Sequence, residues 1–490
     1  MAILRAGRTL LCLAAFASSE TLALGLTGPS PGDMTRFELA GYTLVAADNQ
    51  QLRRDMAKLP RLNRALELAL EINARPTGIP TEVYVVSHSM WSRYLQLGPG
   101  IISEFVPTRF KNYIVADNSR IDRESLFHEH AHLFLYTQSE RVYPHWFDEG
   151  LAQIMGRAQY TATTVRFFPS ERDDLGAWLP IDRVLLATRD SHDYLAEGTT
   201  DSFYFEALSL TYRALIDDRS FGKQVEAYID ALNQLQSPEQ ARNHFGVDVD
   251  GLNHQMRAWV NRTTKSEAKM MLGDIPEQPL PAGTPLPRLD ALLQIANVSL
   301  DTGLGLDRLD EILTAAAREP GGPRRTLVPW TRLAAKQMSD RPLLEVLRYA
   351  GPARLRDPQI ARGIGLALFD RVLTLDQKPA TLIDAATLMG RSFALLDRAL
   401  AANPDDPEAA WAYATLAAGL KKDLDVAWQR LTPMFERLPR NPDIAHAAAL
   451  LLEARGDPEA AKFYQAVFRY AHSFEEKRWA AEKMAALGGK

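Results

Sequence analysis

The chain has 490 residues, a length that favours two or three domains over a single hydrophobic core. Its hydrophobic content of 46% and charged content of 24% are ordinary for a globular protein. The net charge is −5 with both signs interspersed, and no basic run indicates a nucleic-acid-binding protein.

The N-terminus has the pattern of a secretory signal peptide. Arg5 and Arg8 provide its positive end, an apolar stretch follows, and an Ala-Phe-Ala sequence ending at Ala17 matches a cleavage site. We therefore expect residues 1–17 to be removed, and a later cut near residue 25 also fits. The apolar run is too short to span a membrane, and no other stretch is long enough without charges, so no membrane span is expected.

The only cysteine, Cys12, lies inside this signal. The mature chain would therefore contain neither a disulfide nor a thiol nucleophile. An exported protein without cysteine fits a bacterial periplasm better than a disulfide-stabilised extracellular domain. We predict export across the inner membrane and a periplasmic location.

The first part of the mature chain predicts strands and one helix. Phe37–Ala47 alternates weakly between apolar and polar residues, as a strand or hairpin does. Asn49–Asn73 has leucines on one side and charges on the other, which predicts a helix. The β-branched segment Thr81–Ser87 predicts a buried strand, and Phe105–Ala116, interrupted by Pro107, predicts one or two more.

Residues 122–136 predict the next helix, because neither Pro nor Gly interrupts them. Ser119 and Asp122 fit a capping box at its start. This helix would contain the sequence HEHAH at residues 128–132, which matches the pattern H-E-x-x-H.

The outer histidines of this pattern, His128 and His132, are four residues apart and therefore share one face of the helix. Imidazoles at this spacing can chelate zinc, and Glu129 can act as a general base on the zinc-bound water. A catalytic zinc also needs a third protein ligand. Metzincins supply it by continuing with H-x-x-G-x-x-H, but here Leu135 and Gln138 stand where that pattern requires Gly and His.

The third ligand is expected from the sequence WFDEGLA at residues 146–152. Pro144 can open a helix here, since its missing N–H costs nothing in the first turn. Glu149 would project from this helix as the carboxylate ligand. His130 and His145 lie beside the ligand positions, and we interpret them as polar neighbours and not as ligands.

The pair HEHAH and WFDEGLA resembles the gluzincin metallopeptidases, in particular their peptidase MA-like branch. The resemblance extends loosely over residues 37–262 and implies an α+β zincin-like fold. It assigns the zinc ligands to His128, His132 and Glu149 and the catalytic base to Glu129.

The chain departs from the family pattern in two respects. Many gluzincins have an Asp four residues after the ligand Glu, where it orients a ligand His; this chain has Gln153, which can hydrogen-bond but carries no charge. No G-A-M-E-N-like segment precedes the motif, so an endopeptidase is expected and not an aminopeptidase. Gluzincins often stabilise the oxyanion with a later Tyr or His, a role that the resemblance gives to Tyr204, with Tyr194 and His192 as alternatives.

Residues 275–287 contain five prolines and predict a stiff linker between domains. We therefore predict a metallopeptidase domain at residues 26–265, a linker at 266–288 and a helical domain at 289–490. The two domains are expected to fold independently.

The region after the linker predicts Ala- and Leu-rich helices separated by Pro and Gly. Asn403 with its following Pro recurs as Asn441 with its Pro. These helix pairs resemble degenerate tetratricopeptide (TPR) repeats, and a plain helical bundle is the alternative. Stacked helix pairs would offer a concave surface to a protein partner or a large substrate.

The sequence thus predicts an α+β zincin-like catalytic domain followed by an all-α, TPR-like repeat domain. The expected function is zinc-dependent hydrolysis of peptides or proteins, by attack of zinc-bound water with Glu129 as base. The alternative is a scaffold whose zincin-like domain is inert and whose repeats bind a protein partner; the intact Glu129 favours the enzyme. Hydrolysis of a non-peptide amide in the cell envelope is a third interpretation.

Overall fold

The structure is a computed structural model that describes residues 33–47, 49–95, 101–169, 178–195, 200–262, 267–379 and 382–488. The predicted signal peptide and Cys12 therefore lie outside the described residues. A mixed α/β N-terminal region precedes a mostly helical C-terminal region, which confirms the predicted fold class at this level.

The strands form two sheets in the N-terminal region. They are β1 (Thr35–Leu39), β2 (Tyr42–Ala46), β3 (Thr81–Val86), β4 (Ser103–Pro107), β5 (Asn112–Asp117), β6 (Gln159–Tyr160), β7 (Thr164–Phe167), β8 (Ala268–Met271) and β9 (Thr284–Pro285). The main sheet has the spatial order β4-β5-β3-β2-β1-β9, and the smaller sheet has the order β6-β7-β8. Strands β2, β3 and β5 are parallel, whereas β4 lies antiparallel to β5 at the edge of the main sheet.

The longer helices of this region are α1 (Gln50–Met56), α2 (Leu59–Leu70), α3 (Arg123–Gln138), α4 (His145–Arg157), α5 (Ile181–Leu186), α6 (Thr200–Tyr212), α7 (Arg219–Asn233) and α8 (Val249–Val260). Shorter helical turns are His88–Met90, Trp91–Leu95, His192–Leu195, Arg213–Asp217, Pro238–Ala241 and Arg242–Phe245. The single helix predicted over residues 49–73 is divided in two. Its second half begins with Pro60 in the first turn, where the missing N–H of proline is tolerated.

The longer helices of the C-terminal region are α9 (Arg288–Thr302), α10 (Leu309–Arg318), α11 (Leu327–Lys336), α12 (Asp340–Arg354), α13 (Pro358–Leu373), α14 (Ala385–Ala402), α15 (Pro407–Leu420), α16 (Leu424–Leu431), α17 (Pro442–Arg455), α18 (Ala460–Tyr470) and α19 (Phe474–Gly488). Two short turns, Gly322–Arg325 and Met434–Arg437, lie between them. Across the described ranges, no helix is both long enough and apolar enough to cross a membrane.

The helix pair α15 and α16 recurs as α17 and α18. The N-caps Asp406 and Asn441 are each followed by Pro and lie 35 positions apart. The left-handed C-caps Lys421 and Gly456 are separated by the same 35 positions. The predicted register of the repeat is therefore wrong, because Asn403 ends α14 and does not cap α15.

Both faces of the main sheet are buried, each by a different part of the chain. On β3, Val83 and Val85 face a core shared with α2, α3 and α4. The alternate residues Tyr84 and Val86 face a second core, which is built by helices α9 to α14. A continuous apolar run in a strand is typical of a sheet that is covered on both faces.

The proline-rich segment is attached to the N-terminal region along its length. Strand β9 pairs with β1, and Arg61 Nε donates a hydrogen bond to the carbonyl oxygen of Ile275 at 3.3 Å. The division of the chain into domains at residues 266–288 stays a prediction.

The tip of the β4–β5 hairpin lies against the helical region. The ring centroids of Phe110 and Trp411 are 5.6 Å apart, and Arg109 Nε lies 3.1 Å from Asp443 Oδ1. Asn441 Nδ2 donates a hydrogen bond to the carbonyl oxygen of Arg109 at 2.7 Å. The edge strand β4 is therefore connected to the C-terminal helices as well as to its own sheet.

Candidate metal centre

Helix α3 carries the H-E-x-x-H residues. Asp122 caps its first turn by accepting a hydrogen bond from the N–H of Ser125 at 2.8 Å. The predicted capping box with Ser119 is wrong, because Ser119 donates both its N–H and its hydroxyl to Asp117. The helix then continues through the motif and sets its outer histidines one turn apart.

Helix α4 begins directly after Pro144, as predicted, and packs between α3 and α6. Gly150 makes this packing possible. A Cβ atom at position 150 would lie 2.3 Å from the carbonyl oxygen of Ala207 and 2.3 Å from Thr211 Oγ1, both in α6. The glycine therefore allows the close approach that keeps Glu149 buried, with 3% of its surface exposed.

The side chains of His128, His132 and Glu149 converge. The Nε2 atoms of the two histidines are 3.1 Å apart, and Glu149 Oε2 lies 3.4 Å from Nε2 of His128 and 3.7 Å from Nε2 of His132. This carboxylate oxygen is buried and has no hydrogen-bond partner among the described residues. The three residues therefore form a cluster that could bind a metal ion.

The second ring nitrogen of His132 is held by Asp148, whose Oδ1 lies 2.6 Å from Nδ1. Gln153, four residues after Glu149, donates a hydrogen bond to the carbonyl oxygen of Tyr204 at 2.9 Å and forms no hydrogen bond with either histidine of the cluster. Asp148, the residue next to Glu149, thus orients the ring of His132. Sequence reasoning missed Asp148, and its only signal was an acidic residue in the first turn of α4.

The electrostatics of the cluster favour positive charge at the imidazole of His132. Burial lowers the pKa of His132, but the charges of Asp148 and Glu149 outweigh burial and raise this pKa to about 9. Burial raises the pKa of Glu149, whereas His132 and His128 lower it well below its ordinary value. Surroundings that stabilise a proton on His132 also stabilise a bound cation.

Glu129 points from α3 toward the edge strand β4. Ser103 Oγ donates a hydrogen bond to its Oε1 at 2.9 Å, and the N–H of Phe105 donates to its Oε2 at 2.7 Å. The carboxylate is therefore fixed by two donors from one strand. A peptide added at this edge would find fewer backbone donors, because Phe105 is engaged with Glu129 and Pro107 has no N–H.

Two tyrosines connect to the cluster in series. The hydroxyl of Tyr194 donates to Glu149 Oε1 at 3.3 Å, and the hydroxyl of Tyr204 donates to that of Tyr194 at 3.1 Å. Burial, and after it the charge of Glu149, raises the pKa of both hydroxyls, so both stay protonated at neutral pH. Tyr204, the predicted oxyanion residue, thus reaches the cluster through Tyr194, while His192 is exposed and lies outside the cluster.

The remaining histidines of this region lie beside the cluster. His130 is buried on the opposite side of α3, where its Nε2 lies 2.6 Å from Asn63 Oδ1, and burial lowers its pKa to about 3. The ring of His145 stacks on Phe203, and its Nε2 lies 3.9 Å from Glu149 Oε1. Neither residue belongs to the group of convergent donors.

No family model, curated protein or solved structure matches this chain. The chemical interpretation of the cluster therefore rests on its own geometry. The resemblance to gluzincins stays an expectation drawn from the two motifs.

Proposed function

We propose that this protein is a zinc-dependent endopeptidase of the gluzincin type. The observation that carries the proposal is the convergence of two imidazole nitrogens and one carboxylate oxygen from consecutive helices. Glu129, next in sequence to His128, supplies a carboxylate that is not part of the donor group. This combination is the residue set that metal-assisted hydrolysis requires.

The donor set and its spacing support zinc. Tetrahedral zinc with ligands at ~2.0–2.1 Å has ligand atoms about 3.3–3.4 Å apart. The three distances in the cluster are 3.1, 3.4 and 3.7 Å. Two imidazoles with one carboxylate also suit zinc better than magnesium or calcium, which prefer oxygen ligands throughout.

Zinc, when bound, would polarise the scissile carbonyl and acidify the attacking water. Glu129 accepts a proton from that water and passes it to the nitrogen of the leaving amine as the peptide C–N bond breaks. The donors from Ser103 and Phe105 hold the carboxylate of Glu129 in one orientation. The hydroxyl groups of Tyr194 and Tyr204 offer neutral donors to the negative charge that develops on the carbonyl oxygen.

The proposal includes export to the periplasm, which rests on the signal sequence, and a protein-binding role for the helical region. The 35-residue offset between helix pairs is close to the ~34-residue period of TPR repeats. This offset supports the TPR-like interpretation of helices α15 to α18.

Two measurements test the proposal. Metal analysis should find zinc in the purified protein, and the His128→Ala/His132→Ala double variant should lose it. A matched double variant at two exposed histidines, His244→Ala/His254→Ala, should keep the zinc.

A diverse peptide pool should be cleaved by the wild-type protein, and a chelator should abolish the cleavage. Zinc that persists in the His128/His132 variant, or cleavage that the chelator does not affect, would contradict the proposal.

A further inference from the structure

A cavity of about 540 Å³ adjoins the metal cluster and extends away from it toward the C-terminus of the chain. His132 and Asp148 line it at the cluster, and Phe105 of the edge strand lines one side. Its volume lies in the range of small-molecule binding pockets, ~300–1,000 Å³, and is therefore large enough for any single side chain. The cavity is therefore continuous with the site at which hydrolysis is proposed.

The far wall of this cavity comes from the other end of the chain. It is formed by Ala471, His472, Ser473, Phe474 and Arg478, at the junction of α18 and α19. These five residues are called the C-terminal wall below. Although more than 300 positions separate them from the motif helix α3, they lie against the same cavity as His132.

The C-terminal wall is attached to the helix that carries the metal cluster. The ring of His472 stacks on Tyr136 of α3, with centroids 3.7 Å apart. Just beyond α3, Glu140 accepts hydrogen bonds from Arg469 Nε at 2.7 Å and from Lys477 Nζ, through its carbonyl oxygen, at 3.4 Å. Contacts on both sides of the wall thus fix its position relative to His128 and His132.

The chemistry of the lining favours an apolar occupant. Large apolar side chains supply most of the surface, among them Phe105, Leu135, Tyr143, Leu185, Leu232 and Phe474. Of the polar groups nearest the cluster, Asp148 is already bound to His132. A side chain that enters here is removed from water against a lining that is mostly apolar.

We propose that this cavity receives a large apolar side chain of the peptide substrate, and that the C-terminal wall determines this preference. This inference rests on the proposed peptidase function, because the occupant is a residue of its substrate. Burying a Leu or Phe side chain corresponds to roughly a 10- to 100-fold gain in affinity. The helical region would then take part in substrate selection directly, in addition to any partner that it binds.

Binding to a full-length Glu129→Gln protein tests the inference without turnover. The probes are acetylated hexapeptide amides of Gly and Ser that carry one central Phe, Leu or Ala, with affinities measured by calorimetry. The Phe and Leu peptides should bind roughly 10- to 100-fold more tightly than the Ala peptide. Ser473→Trp, added to fill the cavity, should bring this ratio close to one, and Phe474→Ala should lower it.

Phe463→Ala is the matched control, because Phe463 is also a half-buried Phe of the C-terminal helices but lies outside the cavity. It should leave the ratio unchanged. Thermal unfolding of each variant identifies a change that merely unfolds the protein, and the two cavity variants provide independent tests. Equal affinities of the Phe and Ala peptides for the Glu129→Gln protein, or no binding of either peptide, would overturn the inference. A preference for the Phe peptide that persists in folded cavity variants would also overturn it. Cleavage by the wild-type protein reports on the proposed function separately.

Discussion

Asp148 Oδ1 lies 2.6 Å from Nδ1 of His132, while the adjacent Glu149 directs its Oε2 to within 3.7 Å of Nε2 of the same ring. Two consecutive residues of α4 therefore lie next to the two nitrogens of one imidazole, Asp148 at Nδ1 and Glu149 at Nε2. The carboxylate at Nδ1 fixes the ring orientation and the tautomer that leaves Nε2 available as a ligand. Gln153, four residues after Glu149, takes no part in this arrangement, because it bonds to the backbone of Tyr204.

Asp148→Asn should weaken zinc binding by about 10- to 100-fold, the usual cost of removing a partner that orients a metal ligand. An amide can still hydrogen-bond to the ring but supplies no charge. Competition with a chromogenic chelator measures the change. Gln153→Met is the control, because Gln153 bonds to the backbone of Tyr204 and not to a ligand. Equal losses in both variants would contradict the role assigned to Asp148.

Glu129→Gln should keep zinc and fold but lower kcat by at least the ~10²- to 10⁴-fold expected for loss of a general base. Ser103→Ala should have a smaller effect, because the N–H of Phe105 still holds the carboxylate. Ser103→Thr, which retains a hydroxyl, should recover most of the activity. If Ser103→Ala turns substrate over at the wild-type rate, this hydrogen bond does not position the base.

Tyr194→Phe and Tyr204→Phe separate the two hydroxyl donors. Tyr194 contacts Glu149 directly, so its loss should lower kcat by up to the ~10²- to 10³-fold typical of an oxyanion donor, with KM less affected. Tyr204 acts through Tyr194 and should matter less. If steady-state kinetics show a larger loss of kcat in Tyr204→Phe than in Tyr194→Phe, Tyr204 is the primary oxyanion donor, as the resemblance alone implied.

The parts of the site that were predictable are those fixed by local periodicity. Helical geometry alone places His128 and His132 on one face of their helix. The helix predicted after Pro144 carries Glu149, which could therefore be proposed as the third ligand. The bonds between Ser103 and Glu129 and between Asp148 and His132 depend on how β4, α3 and α4 meet in space. No local pattern encodes such a meeting, so these contacts were not foreseen.

The same limit applies to the fold. The β-branched segment around Val83 predicted a buried strand, and the structure has one. The identity of the elements that cover its second face was not predictable, because an apolar strand accepts any apolar partner. The proline-rich segment looked like a boundary by composition, yet helices beyond it complete the core behind the sheet.

Glu206 supplies a prediction about pH. Its side chain is 1% exposed, and burial raises its pKa from an ordinary 4.5 to about 8, although the N–H of Leu179 donates to it. Between these two values the unfolded chain releases a proton that the folded chain retains, so the group destabilises the fold increasingly as pH rises. Glu206→Gln removes this titration at nearly constant shape. The free energy of unfolding in urea of Glu206→Gln, minus that of the wild type, should increase between pH 4.5 and about 8. The total increase should be about 1.4 kcal/mol for each unit by which the pKa of Glu206 is raised. A difference that does not change with pH would mean that Glu206 ionises normally in the folded protein.

A chain that ends at Gly273 would lack helices α9 to α19. Such a chain contains every residue of the metal cluster, and the sequence pattern alone favours its independent folding. It would, however, expose the second face of the main sheet, where Val45, Tyr84, Val86 and Val115 are at most 4% exposed in the full chain. Burial of four such side chains contributes roughly 6 to 12 kcal/mol at about 1.5–3 kcal/mol each. That is comparable to the whole net stability of a typical domain, ~5–15 kcal/mol.

We therefore expect the chain ending at Gly273 to aggregate or to remain unfolded, and to bind no zinc stoichiometrically. A chain ending at Tyr470 is the matched control, because it lacks α19 but keeps helices α9 to α14 over the sheet. It should be soluble, show a cooperative thermal transition and retain zinc. Gel filtration, thermal unfolding and metal analysis of both chains show whether the N-terminal region needs the C-terminal helices to fold or folds independently of them. A folded, zinc-binding protein ending at Gly273 would establish two independent units, and the second core would then be an interface between them and not a condition for folding.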